Sequence, residues 1–453
     1  KYTYDSFGNK LTIEDPLGNV KIMTYGENSR LLTETDALGR TTTNTYSTRS
    51  GNLRFTKDAL GKITEYRYRL SGELSSVTNA EGKVTEFDYY ASGDVKVVKD
   101  TLGNVTEYTY NDNGDKLTEK RYMTQENGTV RELLTTWTYD KNGRMKTMTD
   151  AENHTTTYEY DNNGRQTAII DALLRRTEYK YNKLGKLEET IYPDNTPNNP
   201  NDNPREITRY DAAGRKIETI DKAGRSTRFV YDKVGRLIYT VLPDDTPDNP
   251  TVSPELWDNP KTETIYYTDG LVKAQIDELG NRTEFRYDAA GRQIEIIYAD
   301  NTPATLTDNP RTKYVYNAAG QKIAETDALN RTTSFKYDDL GRLVKTEFQD
   351  KTSTSQEYDN LGRRVASVDQ ENKRTEHRYD DLGHLTGVKN ALGDWTNYSY
   401  NSVGNLISIT DALNHTTRYE YDGVGRRTAT ILPMSQRSTM TYDAVGNLNT
   451  STD

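Results

Sequence analysis

Residues 158–186 read YEYDNNGRQTAIIDALLRRTEYKYNKLGK. The phrase Tyr160-Asp161-Asn162-Asn163-Gly164-Arg165 returns 21 residues later as Tyr181-Asn182-Lys183-Leu184-Gly185-Lys186. That step recurs elsewhere. Gly320, Gly341, Gly362, Gly383, Gly404, Gly425 and Gly446 are each 21 apart, as are Gly72, Gly93 and Gly114. Gly114 to Gly143, Gly185 to Gly214 and Gly291 to Gly320 are 29 apart, and Gly235 to Gly270 are 35 apart. These steps equal one period plus 8 or 14 residues, so they read as insertions into a kept register. A fixed period of this size is the mark of a repeat architecture and overrides a domain count taken from length.

Each unit carries two turns. The first is Tyr-Asp-x-x-Gly-Arg, as in Tyr337-Asp338-Asp339-Leu340-Gly341-Arg342 and Tyr421-Asp422-Gly423-Val424-Gly425-Arg426. Asp accepts a hydrogen bond from the backbone two residues on, and Gly takes a positive φ without steric cost. A type I turn closed by a left-handed Gly is the hairpin form that carries a bulge. The second turn follows about ten residues later, as in Asp36-Ala37-Leu38-Gly39-Arg40 and Asp327-Ala328-Leu329-Asn330-Arg331, where Asn330 replaces Gly because Asn tolerates the left-handed region.

The segments between turns are short and rich in Thr, Tyr, Val and Ile. RTTSFKY (331–337) alternates with period two, which puts Thr333, Phe335 and Tyr337 on one face and Ser334 and Lys336 on the other. The arm after the turn glycine, GRLVKTEF, carries apolar residues on both faces and is assigned as the partner strand. Stacking the units lines up two columns. One is the turn Tyr, as at 160, 181, 337 and 421; the other, two residues earlier, is mostly aromatic, as at Tyr158, Tyr179, Phe335 and Tyr419. The tyrosine is therefore expected as the packing contact between neighbouring units. Roughly forty strands at about 4.8 Å spacing make a ribbon on the order of 190 Å long. So large a twisted sheet curls, so the expectation is a spiral strip.

Composition is consistent with such a strip. Of 453 residues 33 % are hydrophobic and 28 % charged, and mean hydropathy is −0.94. Those values alone lean toward disorder. Against them stand 34 Tyr beside 7 Phe and 6 Met, a skew that suits half-buried rings with hydroxyls near water. The net charge of −10 argues against sequence-independent nucleic-acid binding. The absence of cysteine excludes disulfides and thiolate chemistry. No apolar run is long enough to span a membrane as a helix. The chain opens at Lys1 and stops at Asp453 in mid-pattern, so residues 1–453 are expected to be one repeat array within something longer.

The alternation of YDAAGR, YDDLGR and YDGVGR with DALGRTT and DALNRTT resembles the YD or Rhs repeat over essentially the whole chain. Families with this repeat include bacterial Rhs polymorphic toxins, wall-associated toxins, the shell proteins of insecticidal Tc toxins, and teneurins. The resemblance implies an all-β fold: antiparallel hairpins of about 21 residues in a continuous spiral sheet, forming part of a hollow cocoon-like shell. It also implies a structural role, that of a shell that sequesters and helps deliver a C-terminal toxin domain of the same polypeptide or complex. Secretion machinery or cell-surface glycans are further partners on that view, and the setting is secreted or cell-surface, and bacterial. The alternative is an extracellular adhesion or carbohydrate-binding surface with Tyr faces stacked on sugars. No closing core motif of the DPxGLxDGxNxYxY kind occurs, so the family's shell-closing region and self-cleavage site are not carried over.

Candidate sites are few. No catalytic, cofactor or metal site is expected, and the chain is not expected to be an enzyme. The structural motif is represented by Tyr160, Asp161, Gly164, Arg165, Tyr337, Asp338, Gly341, Arg342, Tyr421, Asp422, Gly425 and Arg426. Arginines after the turn glycine are expected to pair with turn aspartates of adjacent units, for solubility and register. Loop insertions lie near 124–132, 193–204, 243–260 and 301–310, and Trp257 is a candidate partner-binding aromatic. Solvated loop growth explains the same insertions without a partner. NDNGD (111–115) invites a calcium reading, but turn chemistry accounts for it. His154, His377, His384 and His415 all occupy repeat positions. The sequons in GNVT, ENHT and GNRT arise from the repeat itself. Degenerate units at 25–30, 46–51, 348–356 and 432–438 are expected to loosen the strip locally.

Overall fold

The computed structural model describes residues 1–125, 128–194, 202–244, 258–300 and 308–453. Forty strands in this part of the chain form one open antiparallel sheet. Strands consecutive in sequence are neighbours in the ladder: Tyr2–Tyr4 pairs with Lys10–Glu14, which pairs with Val20–Tyr25, which pairs with Leu31–Thr35. The chain divides into two compact units. One comprises Lys1–Thr155, Tyr316–Ala324 and Thr332–Asp453; the other comprises Thr156–Val315 and Glu325–Arg331. The expected all-β hairpin repeat is what the chain forms.

The hairpin geometry follows from the turn residues. Gly164 has φ +82° and Gly341 φ +82°. The Gly164 amide donates to the Asp161 carbonyl and the Asp161 amide to the Arg165 carbonyl. Opposite the turn the ladder skips one residue. Glu159 faces Ala168 but Tyr160 faces Gln166; Lys336 faces Lys345 but Tyr337 faces Leu343. This is the bulge that a type I turn with a left-handed glycine requires. It turns each Tyr relative to the strand that carries it.

The two faces of the strip differ. On one, rows run aromatic–aliphatic–threonine, as in Tyr158–Ile169–Thr177, Phe285–Ile296–Thr312 and Tyr398–Ile409–Thr417. On the other, small residues sit under ion pairs. Ala168 lies between Glu159 and Glu178, and Arg176 reaches both acids at 2.8 and 2.7 Å. Ala366 lies between Glu357 and Glu376, with Arg374 over it. Ala168, Ala366 and Ala429 are fully buried by this cover. A single sheet has no second layer, so few large side chains reach full burial, and rows of half-buried side chains hold the strip.

The degenerate units keep their turns, contrary to the expected loosening. Lys351 (φ +70°) and Ser435 (φ +65°) adopt the left-handed position where the Asp-Ala-Leu-Gly signature is lost. Their amides donate to the Phe348 and Leu432 carbonyls as a glycine's would. Ser29 at φ +57° does the same within a single 3-10 turn, Glu27–Ser29. At 46–51 the extra residue widens the turn by one, so that the Gly51 amide donates to the Ser47 carbonyl. The pairing on either side supplies the free energy that these strained positions cost.

The insertion at 124–132 is mostly strand rather than loop. Lys116–Thr124 and Val130–Tyr139 pair as far as Thr124 and Val130, and Met123 and Leu133 are buried. For the other three, residues 195–201, 245–257 and 301–307, and with them Trp257, lie outside the described residues. Their bases are closed alike: the amides of Tyr192, Leu242 and Tyr298 donate to the carbonyls of Pro204, Pro260 and Pro310. All three leave from the second-turn side of the strip, the shared edge that their similarity suggested.

Candidate functional site

Each first turn is a clasp. Asp161 Oδ1 accepts from the amides of Asn163 and Arg165, both at 2.9 Å, and its Oδ2 accepts from Arg165 Nε at 2.7 Å. Asp338 and Asp422 hold Arg342 and Arg426 in the same way, at 2.7 and 2.6 Å. The arginine therefore pairs with the aspartate of its own turn, not with that of an adjacent unit as expected. The reason is reach, since the bulge brings the residue after Gly alongside the carboxylate that started the turn. These bonds favour the ionised acid. The Arg165 amide, then its guanidinium, holds Asp161 below the ordinary carboxylate range. At Asp338 burial pushes upward, but the Arg342 side chain and amide outweigh it.

The same arginine then serves the next unit. Arg165 lies over the Tyr181 ring at 4.8 Å, Arg342 over Tyr358 at 4.6 Å and Arg426 over Tyr442 at 5.0 Å. Arg363 Nη1 donates to the Asp380 carbonyl at 2.7 Å, and Arg426 Nη1 to the Asp443 carbonyl at 3.0 Å. The tyrosine completes the tie in the opposite direction. Tyr337 Oη donates to the Lys322 carbonyl at 2.6 Å, Tyr421 to Leu406 at 2.8 Å and Tyr181 to Gln166 at 2.8 Å. Each acceptor is the first residue of the preceding arm strand. It lies beyond the end of the ladder to the tyrosine's strand; for Tyr421 that ladder stops at Ser408–Arg418. The packing role expected of the tyrosine holds, but its partners are a guanidinium and a carbonyl more than another ring. Where Tyr90 and Tyr267 replace the turn aspartate, each lies edge-on to the next turn Tyr and donates to a carbonyl of that strand.

The histidines fill repeat slots. His154, His384 and His415 stand where arginine usually does, with Nδ1 at 3.2, 2.8 and 3.0 Å from Asp150, Asp380 and Asp411. His384 stacks on Tyr400 at 4.8 Å. His377 occupies the second aromatic column opposite Val388, with Nδ1 buried and unpartnered. In NDNGD the Asn111 Oδ1 accepts from the amides of Asn113 and Asp115, so that oxygen is engaged in the turn. Among the described residues no group of three or more His, Asp or Glu is placed to hold a metal.

Within the larger unit two stretches of strip meet edge to edge. Second turns of residues 36–154 lie against first turns of residues 317–425. Arg40 Nη1 donates to Gln321 Oε1 and the Asp338 carbonyl, both at 3.3 Å. Glu81 pairs with Arg363 at 3.0 Å and Lys83 with Asp381 at 2.9 Å. Thr101 Oγ1 donates to the Asp381 carbonyl at 2.9 Å. Ser402 Oγ donates to the Tyr122 carbonyl at 2.6 Å and accepts from the Thr124 amide at 2.9 Å. Glu152 accepts from the Gly423 amide and from Arg131. The partners are 271 to 298 residues apart and advance together, turn for turn. Sequence reasoning missed this seam because no local pattern marks residues that meet at such separations.

Residues 277–432 match the family model described as Teneurin YD-shell, and residues 110–155 and 139–176 match RHS Repeat. No curated protein sequence matches the chain. Among solved structures the chain resembles the crystal structure of TcdB2-TccC3-TEV, with TM-score 0.61 and 16 % identity over 98 % of this chain. TcdB2-TccC3 (TM-score 0.58, 17 %) and the Photorhabdus luminescens Tc holotoxin pore carrying a mutated TccC3 (TM-score 0.59, 16 %) are also similar over 98 % of it. In each case this chain covers 26 % of the other chain. At such identities the likeness establishes the fold.

Proposed function

We propose that this chain, which belongs to the YD/Rhs repeat family, is shell wall: it forms part of an enclosure around a toxin component and performs no chemistry of its own. The observation that carries this reading is the seam in the larger unit. A strip whose edges interlock turn for turn makes a continuous surface, which a container needs and a lone adhesive ribbon does not. Clasps and ties in every unit stiffen that surface without leaving a convergent set of reactive groups. The shell fold shared with TcdB2-TccC3 structures supports the same conclusion. A toxin domain of the same polypeptide or complex is the proposed cargo, in a secreted or surface-displayed bacterial protein. No helix among the described residues is long and apolar enough to cross a membrane. The carbohydrate-binding alternative is weaker because the turn tyrosines are already engaged: guanidinium groups cover ring faces and backbone carbonyls take the hydroxyls.

The test is limited proteolysis of the natural polypeptide that carries these repeats. The enclosed domain should resist protease under native conditions and become sensitive at the denaturant concentration that melts the β-sheet signal. Full sensitivity of that domain in the native state would sink the proposal.

A further inference from the structure

The seam of the larger unit leaves two other edges of the same unit open, and their tips differ in a consistent way. At docked second turns Leu38, Leu60 and Leu102 are 46, 39 and 49 % exposed. At docked first turns Leu340, Leu382 and Val424 are 39, 39 and 38 % exposed. The same repeat positions on the open edges are nearly bare. Leu392, Leu413 and Met434, on open second turns, are 87, 75 and 86 % exposed. Phe7 and Leu70, on open first turns, are 84 and 101 % exposed. Leu432, Pro433 and Met434 also frame a shallow groove with Ile409 beside the open second-turn edge.

We propose that these two edges bind each other between copies of this chain: the first-turn edge around Phe7 and Leu70 of one copy docks on the second-turn edge around Leu392, Leu413 and Met434 of the next. The occupant is argued from the seam. A second-turn edge with leucine tips already accepts a first-turn edge with leucine or valine tips there. Both edges advance by one hairpin, about 10 Å, per unit, so register matches along the whole contact. Burying the tips to the seam's level removes apolar surface from water. Because the two edges are different surfaces, the contact is heterologous and does not close on itself as a two-fold dimer does. Open-ended chains of copies follow.

The experiment is sedimentation velocity on the 453-residue chain over a wide concentration range, beside two edge variants. Leu392→Glu with Leu413→Glu disables one edge, and Phe7→Glu with Leu70→Glu disables the other. All four sites are exposed turn tips, and circular dichroism confirms that each variant keeps its sheet. We expect the parent to grow past the dimer with concentration, each variant alone to stay monomeric, and an equimolar mixture of the two to stop at a one-to-one complex through the intact edge of each. A parent that stays monomeric at every concentration, or oligomers that persist in both variants, would overturn the proposal. Encapsulation requires no such assembly, so either outcome leaves the proteolysis test to stand separately.

Discussion

At the turn tyrosine, the ring accepts an arginine from the preceding turn while the hydroxyl reaches back to a carbonyl that the ladder leaves free. The two interactions are separable. Tyr337→Phe keeps the ring and removes the donor to the Lys322 carbonyl. A hydrogen bond of this kind contributes about 1 kcal/mol net. We expect a loss of that size in denaturant melts and faster amide exchange near Lys322, while Tyr337→Leu costs more because the ring goes as well. His377 makes a different prediction. Burial, then the nearby Arg364 charge, lowers its pKa below the ordinary histidine value. The unfolded chain then binds more protons at pH values between the lowered pKa and about 6.5. The neutral ring therefore contributes stability that is present above about 6.5 and is lost as pH falls toward the folded pKa. His377→Tyr, which restores the column's usual residue, should flatten the dependence of the unfolding midpoint between pH 7.5 and pH 5. Residue roles of this sort were partly legible. The tyrosine column was visible as a period, but its carbonyl partner was not, because that acceptor arises from a bulge that ends a ladder.

The hairpin itself was the most legible element. Asp, Gly and the alternating strand residues fix its turn, bulge and facing, and Thr333, Phe335 and Tyr337 fall in the strand Thr332–Tyr337 as read. Legibility failed where a turn persists without its signature. Lys351 and Ser435 hold the glycine position because pairing on both sides leaves the backbone no other path. The same logic exposes a strained site in the opening motif. Leu174 takes φ +64° in the turn after Asp171, and its side chain is exposed. A left-handed conformation costs an L-residue roughly 1–2 kcal/mol. Leu174→Gly should therefore stabilise the chain by about 1 kcal/mol, after glycine's greater freedom in the unfolded state is subtracted. Chemical denaturation beside Gly164→Ala, which strains the neighbouring turn, should show midpoints moving in opposite directions. A midpoint lowered by Leu174→Gly would mean that the leucine contributes packing not apparent in its exposure.

Repeat arrays are usually held by contacts between adjacent units alone, so they unfold piecemeal. The seam changes that for the larger unit, since turns some 280 residues apart depend on each other. Gly423 is a sensitive point of that coupling. Its amide donates to Glu152, and a Cβ added there would stand 2.6 Å from Glu152 Oε1 and 2.9 Å from Arg131 Nη2. Both are ends of flexible side chains, so Gly423→Ala displaces them without dismantling its own turn, whose reversal rests on Gly425. Losing one charge-assisted bond costs about 1.5–3 kcal/mol at most, less where the groups regain water. The informative readout is its location. Amide exchange should rise at 150–154, some 270 residues away in sequence, while the first turn of the preceding unit, Asn401–Gly404, keeps its protection. If exchange rose at 421–426 alone, the seam would be a passive contact. Coupled loosening at both places would show that the strip's edges share their stability, as a wall that must stay shut under load requires.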